Sequence, residues 1–342
     1  MVSERGLQVL RAIVQDYVET RDPVGSKSIV DRHAFGVSAA TIRNDMALLE
    51  EEELIVAPHT SSGRVPTDKG YRVFVDHLAE IRPLSTAQRT AISTFLDEPA
   101  DLDDLLSRTV RCLTQLTGQV ALVQYPSFAR ATVTHIELVL LAPVRMLVIV
   151  VTDTGRVSQR IVHLPQEVTE NDAQALKVQL NTLVTGNEVR TASARLDAHR
   201  EDPANTDAVF TALIDTVAEE LDEFRQDKLV MAGAATLARR ELDFRGSIHP
   251  LLEAIEEQAT LVRLMEEMVG DREGLAASIG AENAAFGLSE ASLVASDYDA
   301  PGSRARIGLM GPTRMDYPSN LAAVRAVARY LTRLLDEDDT RR

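Results

Sequence analysis

Apolar residues near the start of the chain recur at three- and four-residue intervals: Leu7, Leu10, Val14 and Tyr17. That spacing predicts an amphipathic helix, with Ser3 as its cap and Glu4 in its first turn. Asp22-Pro23-Val24-Gly25 ends the helix and turns the chain. A short second helix is expected from Ser26, carrying Lys27, Ile29 and Val30, and Phe35-Gly36-Val37 makes the next break. Ser38 is placed to cap a third helix whose inward face reads Ile42, Met46 and Leu49. Ala39, Arg43, Asn44 and Ala47 are left pointing away from the core. Leu54-Ile55-Val56 reads as a short strand, 57–66 as a loop rich in Ser, Gly and Pro, and Thr67 as the cap of a fourth helix containing Tyr71, Phe74, Val75 and Leu78.

Residues 80–120 read as helices, with a continuous apolar face through Leu102, Leu105, Leu106, Thr109, Val110, Leu113 and Leu116. Strands are expected at 120–125, 133–141, 145–152 and 156–163, with turns at Ala142-Pro143-Val144 and Thr152-Asp153-Thr154-Gly155. A helix from Asn171 to Val184 follows. The stretch from Thr191 to Asp207 is polar and reads as irregular. Phe210, Leu213, Val217, Leu221 and Phe224 then make an amphipathic helix with heptad-like spacing, which suits either an intramolecular core or a dimer seam. Strands return at 290–298 and 304–310, and the last helix carries Leu321, Val324, Ala328, Leu331 and Leu335 on one face before an acidic tail at 336–342. The mixture is an α+β fold.

Three helices, a strand, a polar loop and a further helix is the order of a winged helix-turn-helix, in which the third helix enters the major groove of DNA. Ser and Thr bond bases or phosphates, Arg prefers guanine and Asn prefers adenine. Ser38, Thr41, Arg43 and Asn44 supply those chemistries at the N-terminal end of the third helix. Lys27 suits a phosphate, and the loop at 57–66 would be the wing, with His59 and Arg64 as its candidates. The same pattern also serves as a protein-interaction module.

Charge does not decide between them. The chain has 36 basic and 52 acidic residues, a formal net charge of −16. Through position 78 there are nine basic and twelve acidic residues, a net −3. A generally basic nucleic-acid coat is excluded, so any DNA contact comes from a local surface. The Glu50–Glu53 run also falls at a helix C-terminus, where negative charge is disfavoured.

Catalysis finds no support. None of the seven histidines has another His or Cys at metal-ligand spacing, and the single cysteine, Cys112, lies on a helical apolar face as a packing residue. There is no phosphate-binding loop, dinucleotide glycine pattern or nucleophile elbow. No metal or cofactor is expected. The most apolar run, Leu138–Val151, is broken by Pro143 and Arg145 and is shorter than the roughly 20 residues that span a bilayer. With no apolar leader and one cysteine, the chain is expected in the cytoplasm, away from membranes.

Several motifs carry more than a pattern. Pro23-Val24-Gly25-Ser26-Lys27, Ser38-Ala39-Ala40-Thr41-Ile42-Arg43-Asn44-Asp45-Met46, Leu48-Leu49-Glu50, Pro58-His59-Thr60-Ser61-Ser62-Gly63-Arg64-Val65-Pro66-Thr67 and Gly70-Tyr71-Arg72 occur in that order. Gly311-Pro312-Thr313-Arg314-Met315-Asp316-Tyr317 lies near the far end. Together they resemble the heat-inducible transcription repressors of the HrcA family, over the whole chain. The resemblance implies a homodimer that binds an inverted-repeat operator, the CIRCE element, upstream of the groESL and dnaK operons. It also implies that the chaperonin GroEL keeps the repressor active. The fold it implies is a winged helix, then a GAF-like antiparallel sheet domain carrying an inserted dimerisation domain.

The corresponding boundaries are 1–78 for the winged helix, 79–103 for a helical linker, 104–187 and 246–335 for the two parts of the GAF-like domain, and 188–245 for the insert. One position departs from the family pattern: Glu53 stands where a glycine usually precedes the first wing strand, and glutamate takes a positive φ less readily. The Gly311–Tyr317 segment reads either as a ligand loop or as a tight turn into the last helix capped by Ser319, the second being favoured. A rival function is a winged-helix regulator controlled by a small ligand in the GAF-like domain.

Overall fold

The computed structural model describes residues 2–59, 62–78, 84–126, 131–153, 157–202, 207–225, 228–239, 243–244, 246, 248–300 and 303–341, without the side chains of 223–225, 238 and 337–341. In chain order the described elements are α1 (Glu4–Thr20), α2 (Ser26–Arg32), α3 (Ala39–Glu51), β1 (Ile55–Val56), β2 (Val65–Pro66), α4 (Asp68–Asp76), α5 (Thr86–Phe95), α6 (Leu102–Thr117), β3 (Val120–Gln124), β4 (Val133–Ala142), β5 (Arg145–Thr152), β6 (Val157–His163), α7 (Glu170–Val184), α8 (Val189–Glu201), α9 (Ala208–Arg225), β7 (Leu229–Ala232), α10 (Ala234–Arg239), α11 (His249–Glu257), α12 (Ala259–Glu267), β8 (Leu275–Ile279), β9 (Ala291–Ala300), β10 (Ser303–Pro312) and α13 (Tyr317–Arg341). A short 3-10 helix spans Gly280–Phe286.

The chain forms two compact units. The first comprises Met1–Gln124, Leu229–Tyr298 and Arg306–Tyr330; the second comprises Tyr125–Lys228, Asp299–Ala305 and Leu331–Arg342.

At the N-terminal end of the first unit, the three polar caps marked by the sequence are all in use. The Ser3, Ser38 and Thr67 hydroxyls accept from the backbone N–H of Gly6 (3.1 Å), Thr41 (3.2 Å) and Gly70 (3.0 Å), each satisfying a first-turn donor with no partner in its helix. On α1, Val9 and Ile13 join Leu10 and Val14 inside, while Leu7 and Tyr17 are half-buried. The helix is rotated from the expected stripe because it is covered on several sides, packing on α2, α3, α4 and β2. β1 and β2 form a two-stranded antiparallel ladder, Ile55 opposite Pro66 and Val56 opposite Val65.

The rest of the first unit is built on a five-stranded sheet of order β7-β3-β10-β9-β8. Val123 pairs with Ile307 on one side and Val230 on the other, so both edges of β3 are filled by strands far along the chain. Val120, Leu122, Leu293, Ala295 and Met310 of this sheet share a core with Leu251, Leu261, Leu264 and Met265 from α11 and α12.

The second unit contains the three-stranded antiparallel meander β4-β5-β6 with α7, α8 and α9. Leu147 lies between Val139 and Ile161, and Val151 between His135 and Val157. The expected strands at 133–163 therefore do not extend the sheet that holds β3, which has no edge left to offer them. They pair with each other, and the second compact unit begins at Tyr125. Of the stretch from Thr191 to Asp207 expected to be irregular, 203–206 lie outside the described residues, and the part through Glu201 is helical, as α8. Its inward residues, Val189, Ala192, Ser193 and Leu196, keep helical spacing, but two are small or polar, so the apolar stripe is faint. The sequence reading also gave no elements to β7, α10, α11, α12 and β8.

Candidate nucleic-acid interface

α3 is held by its buried face and by its ends. Ile42, Met46 and Leu49 are buried, and Asp45 joins them because Arg5 of α1 reaches it with two hydrogen bonds, Nε–Oδ2 at 2.8 Å and Nη2–Oδ1 at 3.0 Å. This fork raises the Arg5 pKa above its usual value, chiefly through the hydrogen bond. At the C-terminal end of α3, Leu54 N–H donates to Leu49 O (2.9 Å) and Glu53 N–H to Glu50 O (3.0 Å). That pair of bonds is a Schellman cap, with Glu53 at the left-handed position with φ +61°. The conformation that favours glycine is thus retained with glutamate in it.

Close approaches fix the loops around α3. Val24 and Arg64 exchange backbone hydrogen bonds of 2.9 and 2.8 Å, so the turn before α2 lies along the loop that precedes β2. A Cβ at Gly63 would stand 2.5 Å from Pro23 O, and one at Gly70 would stand 2.0 Å from Leu54 O. Neither position has room for a side chain.

Lys27, Ser38, Arg43, Asn44 and His59 are exposed and Thr41 is half-buried. Ser38 Oγ and Thr41 Oγ1 lie 3.0 Å apart, so the two hydroxyls belong to one capping arrangement. Ala40 and Ala47 are exposed beside Arg43 and Asn44, giving a stripe whose small members let another surface come close. Among the described residues, neither Lys27 nor Arg43 has an ion-pair partner. His59 sits in a turn closed by Ser62, whose Oγ donates to His59 O (2.7 Å) and accepts from His59 N–H (3.0 Å); Thr60 and Ser61 of the same motif lie outside the described residues.

Arg64, expected to face phosphate or a minor groove, places Nε and Nη2 each 2.9 Å from Glu50 Oε2 and donates from Nη1 to Ser62 O at 3.2 Å. Glu50 lies in the last turn of α3, where a carboxylate is opposed by the helix dipole, and Arg64 neutralises it. Other acids of this region are likewise paired: Asp45 with Arg5, Asp16 with Arg32 and His33, and Asp76 and Glu282 with Arg72. The net −3 of the segment therefore overstates the negative charge that faces solvent near α3. Sequence reading missed Arg5 and Asp45, whose pairing leaves no local signal; the crowded Glu50–Glu53 run did signal a need for a nearby cation.

The described side chains of the expected dimer seam are covered within the chain. Leu213, Val217 and Leu221 are each 0% exposed and Phe210 is buried, while the Phe224 side chain lies outside the described residues. α9 packs on α8, β5 and β6, so this face is spent inside the chain and has no surface left for a second one. What the same unit leaves open is the outer face of its sheet, where Val139, Leu141, Val157 and Ile161 are 40%, 47%, 58% and 46% exposed.

Near the C-terminus, Asp316 and not Ser319 is the cap: its Oδ1 accepts from Ser319 N–H (3.1 Å) and its Oδ2 from Ser319 Oγ (2.6 Å). A Cβ at Gly311 would lie 2.0 Å from Gln119 Oε1, so a side chain there requires the Gln119 amide to move. Cys112 is buried, and burial pushes its thiol up to about 11. Among the described residues, no helix is long and apolar enough to cross a membrane.

Comparison with known proteins covers nearly the whole chain. The family described as HrcA protein C terminal domain matches residues 103–320. The Heat-inducible transcription repressor HrcA of Clavibacter michiganensis subsp. michiganensis is 59% identical over 340 residues, covering 98% of this chain and 100% of that one. The protein of the same name from Leifsonia xyli subsp. xyli is 59% identical over 343 residues, and that from Arthrobacter sp. 52% over 339. A crystal structure described as a hypothetical protein at 2.2 Å resolution shares the fold, with a TM-score of 0.68 at 24% identity, covering 98% of this chain and 99% of that one.

Proposed function

The chain belongs to the family of heat-inducible transcription repressors HrcA, and on that premise we propose that a homodimer reads an inverted-repeat operator, the CIRCE element, with α3 of each subunit in the major groove. It is a DNA-binding repressor of the heat-shock response and not an enzyme. The observation that carries the groove reading is the exposed stripe of Ser38, Arg43 and Asn44, with half-buried Thr41, on a helix that Arg5, Arg64 and its caps hold rigidly. Arg43 is assigned to a guanine edge, Asn44 to an adenine edge, Thr41 to a base, Ser38 and Lys27 to the phosphate backbone. His59 remains the wing contact; Arg64 acts as the brace of the wing.

Residues 1–78 are read as a winged helix-turn-helix and the five-stranded sheet with its helices as the GAF-like domain, which makes 125–228 the insert. The dimer contact is assigned to the open face of β4-β5-β6. Its exposed aliphatic rows form a contiguous apolar surface of the kind that marks interfaces. A two-fold pair of subunits matches the symmetry of an inverted repeat. GroEL is the proposed partner that keeps the cytoplasmic repressor active, so that chaperonin occupied by heat-damaged protein relieves repression of groESL and dnaK.

Binding to a fluorescent duplex carrying the inverted repeat is compared with a duplex whose arms are scrambled, at about 0.15 M salt where non-specific binding is weak. A preference of roughly a thousandfold supports the operator reading. Equal binding by folded, dimeric protein, with and without GroEL, refutes it.

A further inference from the structure

Both ends of the family signature meet at one place in the first unit. Arg314, from the Gly311–Tyr317 segment, donates from Nη1 to two carbonyls in the last turn of α1, Tyr17 O (3.4 Å), which also accepts from Arg21 N–H at 3.0 Å, and Val18 O (3.2 Å). Its guanidinium lies 5.9 Å from the centre of the Tyr17 ring and is ion-paired to Asp243. Arg314 and Asp243 side chains are 11% and 4% exposed, and Arg21, just past the end of α1, reaches the same carboxylate at 3.2 Å. A cation at a helix C-terminus is favoured by the dipole, so the contact is directional as well as charged.

Three residues along, the same segment makes a second attachment to a different helix. The Tyr317 ring lies 5.6 Å from that of Tyr71 on α4, and its hydroxyl donates to Thr313 O at 2.8 Å and lies 3.0 Å from Ser292 Oγ. Arg72, next to Tyr71, is ion-paired to Glu282 and donates to Ala277 O at 2.7 Å. Asp68, at the start of α4, accepts from Ala281 N–H at 2.9 Å. Gly280 has φ +52°, and a Cβ there would stand 2.3 Å from Asp68 Oδ2, so a side chain at 280 would be strained and would displace the Asp68 carboxylate from this contact.

A body held at one point swivels, whereas one held on two helices does not. α1 and α4 pack on each other, and α1 packs on α3, so the two attachments fix the direction of α3 against the β8-β9-β10 edge of the five-stranded sheet. Contacts within the N-terminal helices already account for their fold; these two lie outside it. We propose that Arg314 and Arg72 are positioning residues which set the angle at which α3 is presented, and thereby the spacing between operator arms that the dimer accepts. The spacing half of this statement rests on the operator reading above; the orientation half does not.

The test uses the full chain in a Cys112→Ala background, with nitroxide labels at Gln8→Cys and Ser289→Cys, both exposed in the first unit. Arg314→Met and Arg72→Gln are compared with the parent after circular dichroism has shown them folded; Arg72 is the more tolerant position, being partly exposed. The label-to-label distance distribution is narrow in the parent and broadens in both variants. Binding to a single operator arm stays within about twofold, binding to the full inverted repeat falls about tenfold, and the penalty for inserting about five base pairs, half a helical turn, shrinks. An unchanged distance distribution overturns the joint. A broadened distribution with unchanged spacer preference overturns its role in spacing. Loss of single-arm binding equal to the loss on the full repeat shows a role inside the DNA-binding helices instead. A parent that does not tell operator from scrambled DNA refutes the operator reading, and the distance measurement still decides the joint.

Discussion

Replacing Glu53 by glycine should stabilise the protein. Glu53 occupies the left-handed position of the Schellman cap that ends α3, at φ +61°. A residue with a Cβ loses about 1–2 kcal/mol there, and the greater freedom of unfolded glycine returns about 0.5–1 kcal/mol of that. The change also removes the Lys69 contact at 3.5 Å, but both groups are exposed, so that loss is a few tenths of a kcal/mol at most. The net gain is about 0.5 kcal/mol, which corresponds to a Tm rise of about 1–2 °C. Glu53→Ala separates the causes, since it removes the carboxylate and keeps the strained backbone. Thermal and urea unfolding followed by circular dichroism should place Gly above Ala by about 1 kcal/mol. Ala at or above Gly would refute the argument, and with it the claim that φ governs the family's usual glycine here.

Arg43→Ala should cost about 1–3 kcal/mol of operator binding and relax discrimination at one base pair, measured against singly substituted operators. Lys27→Ala should weaken all duplexes alike and lower the slope of log affinity against log salt by about 1. Ile161→Glu on the open sheet face should shift the proposed dimer to monomer in analytical ultracentrifugation and leave unfolding nearly unchanged, because the side chain is 46% exposed. Cys112, pushed up to about 11 by burial, should resist alkylation of the native protein at neutral pH. Since the folded thiol holds its proton more tightly, its share of stability is present below the unfolded thiol pKa near 9 and is lost as pH rises through 11.

The sequence by itself determined what neighbours in the chain decide. Ser3, Ser38 and Thr67 cap the helices they were expected to cap, because a capping bond spans three residues. The inward face of α3 and the strands β3 to β6 follow from spacing alone. α8 was missed because its stripe includes Ala192 and Ser193, and β7 because four residues give too short a pattern. Motif residues were legible at both ends, but not that they meet.

Tertiary structure decided everything that needs a distant partner. It filled both edges of β3 with β7 and β10 and so left β4-β5-β6 as a separate sheet. It paired Arg64 with Glu50, a contact that spacing along the chain did not reveal. It buried the heptad-like face of α9, whose spacing is the same for a core and for a dimer seam. It also brought Arg314 to the end of α1, some 296 residues away along the chain. Spacing fixes which side chains share a face; what covers that face depends on which distant surface is left over once the shorter-range contacts have closed.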